Sequence, residues 1–236
     1  MTSRVVPAPT AGLWRVARGL DPFAFQPPPG RLPHSDRPVL DGNRWDDPDG
    51  EFATLYCSTT AEGAFAETIA RYRTRPGLLE RIDRFLTGGP DPEHDFPLEP
   101  GRVPDGYFTN RILGHVTVDP DVRFVDVDHP NTHAAAAAAL EPLLARHGLE
   151  SVDRGVMYHP DRRVTRPMGR YYWQLARSGD HQEWAGLRYM SRLGPDWECW
   201  AVWEPSPLRT QFTTLSTLLH DHPDLTTAAL KLDITV

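Results

Sequence analysis

The chain has 236 residues, 24 of them proline, and carries 25 basic against 32 acidic side chains for a net charge of −7. This balance argues against direct nucleic-acid binding, which calls for a basic excess, but leaves room for a small anion gripped by a few arginines. A globular chain of this length hides roughly 70–75% of its unfolded surface and needs no disulfide or metal staple.

No apolar leader follows Met1, and no stretch approaches the ~18 apolar residues of a membrane span, so a cytoplasmic protein with no membrane partner is expected. One domain is expected over residues 1–236, with a core at about 13–205 and insertions at about 20–41 and 73–113. Leu13 to Ala17 alternates like a strand. A Pro-, Asp- and Gly-rich loop over residues 20–41 leads to Gly42-Asn43-Arg44-Trp45 and a solvated acidic turn from Asp46 to Glu51. Ala53 to Cys57 reads as a second strand.

A helix follows, with Thr59 and Glu62 spaced as a capping box and Phe65, Ile69 and Tyr72 on one stripe. Pro76 to Gly106 reads as an insertion with one short apolar segment, Leu78 to Leu86, as its helix. His115 to Val118 and Arg123 to Val127 are expected as strands around an Asp-Pro-Asp turn. The alanine run from Ala134 to Leu144 is expected as a helix closed by Gly148. Another helix is placed from near Pro167 to about Arg177. Gly186 to Ser191 and Glu198 to Trp203 read as paired strands, and Lys231 to Val236 as an edge strand. The mixed order predicts an α+β fold and not a doubly wound sheet.

Cys57 and Cys199, far apart in sequence, read as two free buried thiols. No Gly-x-Gly-x-x-Gly follows a strand, and no Walker loop, nucleophile elbow or His-Glu-x-x-His occurs. His129 and His133 flank a Pro-Asn turn and read as capping or solvated in preference to a metal site, so no metal is expected.

Four segments, in order, carry a resemblance. They are Leu13-Trp14-Arg15-Val16; Gly42-Asn43-Arg44-Trp45 with Leu55-Tyr56 and Ala66-Glu67; Gly186-Leu187-Arg188-Tyr189-Met190-Ser191-Arg192; and the apolar strand Cys199 to Trp203. Together they resemble the RES domain family, over roughly Leu13 to Pro205. The resemblance implies an ADP-ribosyltransferase-like fold, with split mixed and antiparallel sheets and flanking helices. It further implies cleavage of the nicotinamide–ribose bond of NAD, used as substrate with no bound cofactor, by hydrolysis or phosphorolysis. Many relatives look like toxins silenced by a helix-turn-helix antitoxin. ADP-ribose transfer to a macromolecule and non-catalytic nucleotide binding stay open as alternatives, as does homo-oligomerisation. The matching positions are Arg44, Tyr56, Glu67 and Ser191, with Arg15 as a further candidate.

The residues also read on their own chemistry. The planar fork of Arg44, just after Gly42 and Asn43, suits a pyrophosphate, or else pairs with Asp46 or Asp47. Tyr56 shares a half-polar strand face with Thr54 and Ser58, suited to stacking on nicotinamide or to a core position. Glu67 projects away from the Phe65 and Ile69 stripe. There its carboxylate can stabilise an oxocarbenium-like sugar, or pair with Arg71. Ser191 lacks a histidine base nearby and reads as a hydrogen-bonding group for ribose or phosphate, or as a serine satisfied by the backbone. Arg15 either supports the phosphates or pairs with a core acid.

Overall fold

Leu55 and Cys57 face one side of the strand Thr54–Ser58 while Tyr56 packs on the other, the period-two pattern of a strand buried on both faces. In the computed structural model, which describes residues 2–28, 30, 42–74, 99–178, 184–204, 211–218 and 220–236, this strand is β3 of an eight-stranded mixed sheet. Its companions are β1 (Val5–Pro7), β2 (Leu13–Arg18), β4 (Arg111–Thr117), β5 (Arg123–Asp126), β6 (Trp184–Met190), β7 (Glu198–Trp203) and β8 (Gln211–Thr217). The order is β1-β5-β6-β7-β3-β2-β4-β8, antiparallel except between β5 and β6. Helices flank the sheet: α1 (Ala61–Ile69), α2 (Gly106–Thr109), α3 (Pro130–Ala139), α4 (Glu141–Arg146), α5 (Arg154–Met157), α6 (Arg162–Arg177) and α7 (Pro223–Leu232). The fold is α+β, as the mixed order of elements predicts. Among the described residues no helix is long and apolar enough to cross a membrane.

The sheet is nearly divided at one seam. β2 and β3 are in register only at Trp14 opposite Ser58, whereas β2 pairs with β4 from Leu13 to Arg18 and β3 with β7 from Thr54 to Ser58. Beside that single pair the Arg15 side chain spans the gap, donating from Nη1 to the Tyr56 carbonyl at 3.2 Å. A side chain here does what the backbone ladder does elsewhere.

Three apolar clusters hold the layers, each large buried side chain contributing about 1.5–3 kcal/mol. Val164, Met168 and Tyr172 of α6 pack on Leu187, Tyr189, Cys199 and Trp203. Phe65 and Ile69 of α1 meet Leu225, Ala229 and Leu232 of α7 over Val16 and Leu113. The opposite face buries Leu13, Leu55, Val116, Phe124 and Val202.

Several expectations need correction. The helix expected from Pro167 begins five residues earlier at Arg162, because Asp161 accepts from the Arg163 N–H and caps it; Pro167 is internal. Lys231 to Val236 is no edge strand: α7 runs to Leu232, Asp233 turns left-handed, and Thr235 makes only an isolated bridge to Arg102. The alanine-rich helix starts at Pro130, capped by His129, and is interrupted at Leu140 into α3 and α4. The helix expected at Leu78 to Leu86 lies outside the described residues.

Candidate functional site

Helix α1 carries the central carboxylate. Thr60, not Thr59, caps it by accepting from the Gly63 N–H at 3.0 Å, while Thr59 donates to Glu198 at 2.6 Å. Glu62 leaves the expected capping box to accept from Trp197 Nε1 and Lys231 Nζ, both at 2.7 Å. Gly63 lets the helix sit directly on β3, since a Cβ there would overlap the Ser58 hydroxyl. One turn further on, Glu67 is held at the strand end: Ser191 Oγ donates to its Oε1 at 2.5 Å, and Cys199 Sγ lies 3.8 Å away. No ion pair joins Glu67 to Arg71 among the described residues.

Ser191 is 3% exposed, and its hydroxyl also accepts from the Leu193 N–H at 3.0 Å. The hydroxyl is therefore engaged by the carboxylate and the turn. Glu67 itself stays open to solvent.

The turn before β3 is built on buried acids, not on a solvated run. Asp46 and Asp47 are 3% and 0% exposed. Asp46 accepts from the Asn43 N–H at 2.7 Å and from the Tyr56 hydroxyl at 2.8 Å. Asp47 takes Arg170 at 2.9 Å and the Glu51 N–H at 2.5 Å, while Arg166 of α6 donates to the carbonyls of both aspartates. These contacts consume both carboxylates, so neither pairs with Arg44. Arg44, 8% exposed, instead donates to the His159 carbonyl at 3.0 Å and lies 5.2 Å from the Tyr158 ring centre. The Tyr56 hydroxyl also accepts from the Trp45 N–H at 3.0 Å, and burial beside Asp46 holds its pKa well above the usual value.

Between these elements lies a cleft of three neighbouring compartments that share lining residues. The inner one, about 250 Å³, opens at the seam of the sheet against Arg15, Tyr56, Ser58, Glu67 and Tyr189. The middle one, about 270 Å³, shares Asn43, Tyr56, Glu67 and Tyr189 with it and adds Arg44, Arg71, Arg162 and Arg192. The outer one, about 480 Å³, meets the middle at Tyr158 and Arg192 and is lined further by Arg154, Ser191, Gly194 and Pro195.

The middle compartment is strongly cationic. Among the described residues, no carboxylate pairs with Arg44, Arg162 or Arg192. Burial, then repulsion from Arg192 and Arg162, lowers the Arg44 pKa to about 10. Burial and then Arg192 likewise lower that of Arg162. Like charges gathered in a partly desolvated cleft make a site for an anion. In the inner compartment, Arg15 Nε is a buried donor without an acceptor among the described residues.

The structure thus brings Arg15, Arg44, Tyr56 and Glu67 to the inner and middle compartments, with Ser191 bonded to Glu67 and lining the outer one. Sequence reasoning missed Tyr158 and Arg162, which flank the true start of α6; Asp161, a capping residue, was the available signal. Arg192 stood inside a singled-out segment without a role. His129 and His133 are engaged locally: His129 caps α3, and the His133 ring meets the Val127 carbonyl at 2.8 Å. Both cysteines are free and buried.

The family model of the RES domain matches residues 12–220 of this chain. None of the curated proteins compared matches it. A similar solved structure is the M. tuberculosis MbcT–MbcA toxin–antitoxin complex, at 12% identity and a TM-score of 0.47, with 97% of this chain and 90% of that chain covered.

Proposed function

The chain belongs to the RES domain family, and we propose that its cleft binds NAD and breaks the nicotinamide–ribose bond, with water or phosphate as acceptor. The observation that carries this reading is the position of Glu67. Its carboxylate, held by Ser191 at 2.5 Å, lines both the inner compartment and the middle one, where four further guanidiniums gather, and Tyr56 and Tyr189 line both beside it.

That order matches the order of parts in the dinucleotide. The pyrophosphate goes to Arg44, Arg162 and Arg192, whose forks suit phosphate oxygens. The nicotinamide ring goes inward against Tyr56 and Tyr189, leaving its ribose beside Glu67. When the C1′–N bond breaks, both electrons leave with the ring, which becomes neutral nicotinamide. Positive charge then develops on C1′ and the ribose ring oxygen, where a fixed carboxylate is most stabilising. Water adds to C1′ and releases one proton, giving ADP-ribose; phosphate adds through oxygen to give the 1″-phosphate. Arg15 favours departure, because its charge disfavours the cationic ring and its free Nε suits the carboxamide oxygen.

The same reading takes the chain as the toxin of a pair, held silent by a helix-turn-helix partner; family membership is its support. The test is to incubate purified protein with adenine-labelled NAD, with and without phosphate, and to separate the products. Nicotinamide release with label only in ADP-ribose or its 1″-phosphate, abolished by Glu67→Gln, supports the proposal. Intact NAD after hours, or label retained on protein, would sink it.

A further inference from the structure

The cleft holds more positive charge than NAD can use, and the excess lies at one end. Four guanidiniums, Arg44, Arg71, Arg162 and Arg192, line the middle compartment against one carboxylate, Glu67. A doubly charged pyrophosphate does not neutralise them. Beyond Tyr158 the outer compartment adds Arg154, shares Arg192, and is lined by no carboxylate.

The direction of the ligand follows from Glu67, on the reading that the cleft takes a nicotinamide dinucleotide. With the scissile ribose at Glu67 and the pyrophosphate on the middle arginines, the adenosine half lies in the outer compartment. That space is lined by Gly194 and Pro195, and its volume of about 480 Å³ is the largest of the three.

Tyr158 organises the boundary. Arg44 and Arg154 each lie 5.2 Å from its ring centre, and its hydroxyl donates to Asp128 at 2.9 Å. A ring within cation–π reach of two guanidiniums steadies both. Arg154 is 60% exposed and meets Asp128 through Nε at 3.3 Å. That carboxylate is already engaged by Tyr158, by the Met190 N–H at 2.8 Å and by Arg188 at 3.7 Å.

We infer that Arg154 and Arg192 form a phosphate site at the adenosine end, so that the preferred substrate class is nicotinamide dinucleotides with a third phosphate on the adenosine ribose, as in NADP. A guanidinium pair lining one open compartment suits a terminal phosphate monoester, with its two charges and three acceptor oxygens.

Calorimetric titration of the full chain with ADP and with 2′-phosphoadenosine 5′-diphosphate isolates this end of the ligand from the chemistry. The phosphorylated ligand should bind at least tenfold more tightly. Arg154→Glu should erase that preference and Arg154→Gln should reduce it, and Arg154 is exposed enough for both variants to fold. In turnover, kcat/KM for NADP should at least equal that for NAD, and Arg154→Glu should lower the NADP-to-NAD ratio tenfold or more. Equal affinity for the two nucleotides, or a preference that survives Arg154→Glu, overturns the inference while leaving NAD cleavage standing. A preference lost in Arg154→Glu, with neither dinucleotide consumed, leaves this site standing and fails the cleavage reading. If neither nucleotide binds, both readings fall.

Discussion

Ser191 and Glu67, 124 positions apart in sequence, are joined by a 2.5 Å hydrogen bond with the serine hydroxyl as donor. The bond fixes a carboxylate that stands at the end of a nine-residue helix and is otherwise free to swing in solvent. Its hydroxyl is taken up by Glu67 and by the Leu193 N–H, so on the proposed reading it acts through Glu67 as a positioning residue.

Ser191→Ala should therefore lower kcat about 10- to 100-fold, the effect of losing a hydrogen bond to a charged group of about 1.5–3 kcal/mol. KM should change much less, since on this reading the serine acts through Glu67. Ser191→Thr, which restores the hydroxyl, should recover most of the loss. Steady-state nicotinamide release checks this, and an unchanged kcat in the alanine variant defeats it.

A second prediction concerns the turn that presents Arg44. The Asp47 carboxylate is fully buried against Arg170, with Arg166 bridging the neighbouring carbonyls. Asp47→Ala should destabilise the protein by about 3 kcal/mol, because it leaves a buried charge pair broken. For a chain of this size that is a fall of about 6–12 °C in Tm. KM should also rise as the turn carrying Arg44 loosens. Thermal unfolding read alongside substrate titration tests both parts.

This turn shows how far the sequence could be read. The strands around the cleft, and the residues Arg44, Tyr56 and Glu67, were legible because alternation and motif order are local properties. The fate of Asp46 and Asp47 was not, since their partners Tyr56 and Arg170 lie on separate elements. A run of acids near glycine looks solvated until a helix arrives to neutralise it. Arg162 was lost for a similar reason: proline favours a first turn over a helix interior, so Pro167 pointed to a start there, and only the Asp161 cap marks the earlier one. The seam between β2 and β3, which opens the inner compartment, is a matter of tertiary geometry with no local signature.

A third prediction follows from Cys57. Desolvation raises its thiol from the ordinary 9.0 to about 11. The unfolded chain then releases this proton at lower pH than the folded one. The Cys57 contribution to stability is thus complete below pH 9 and is lost as pH rises toward 11, at up to roughly 1.4 kcal/mol per pH unit. The difference in Tm between wild type and Cys57→Ala should shrink across that window. The folded protein should also resist iodoacetamide at pH 8, although Cys57 borders the cleft. Rapid alkylation at pH 8, or a constant Tm difference, would contradict the assignment.

The last prediction sets binding against stability in the cationic compartment. Arg162 donates through Nε to the Gly42 carbonyl at 3.2 Å, and burial with Arg192 nearby disfavours its charge. In the free protein its charge is therefore opposed by its neighbours, whereas a bound pyrophosphate would relieve the repulsion among all three arginines. Arg162→Ala should weaken ADP-ribose binding about 10- to 100-fold, the range for a lost hydrogen bond to a charged group. The same variant should unfold no earlier than wild type, since it removes like-charge repulsion from the empty cleft. Arg162→Lys should keep part of the affinity, retaining the charge but not the fork. The remaining affinity of Arg162→Ala should depend less steeply on salt, with one fewer charge meeting the ligand. Calorimetry at two ionic strengths, with thermal unfolding of the free protein, provides the measurements. A variant that loses stability yet binds ADP-ribose normally would make Arg162 a structural residue and remove it from the anion site.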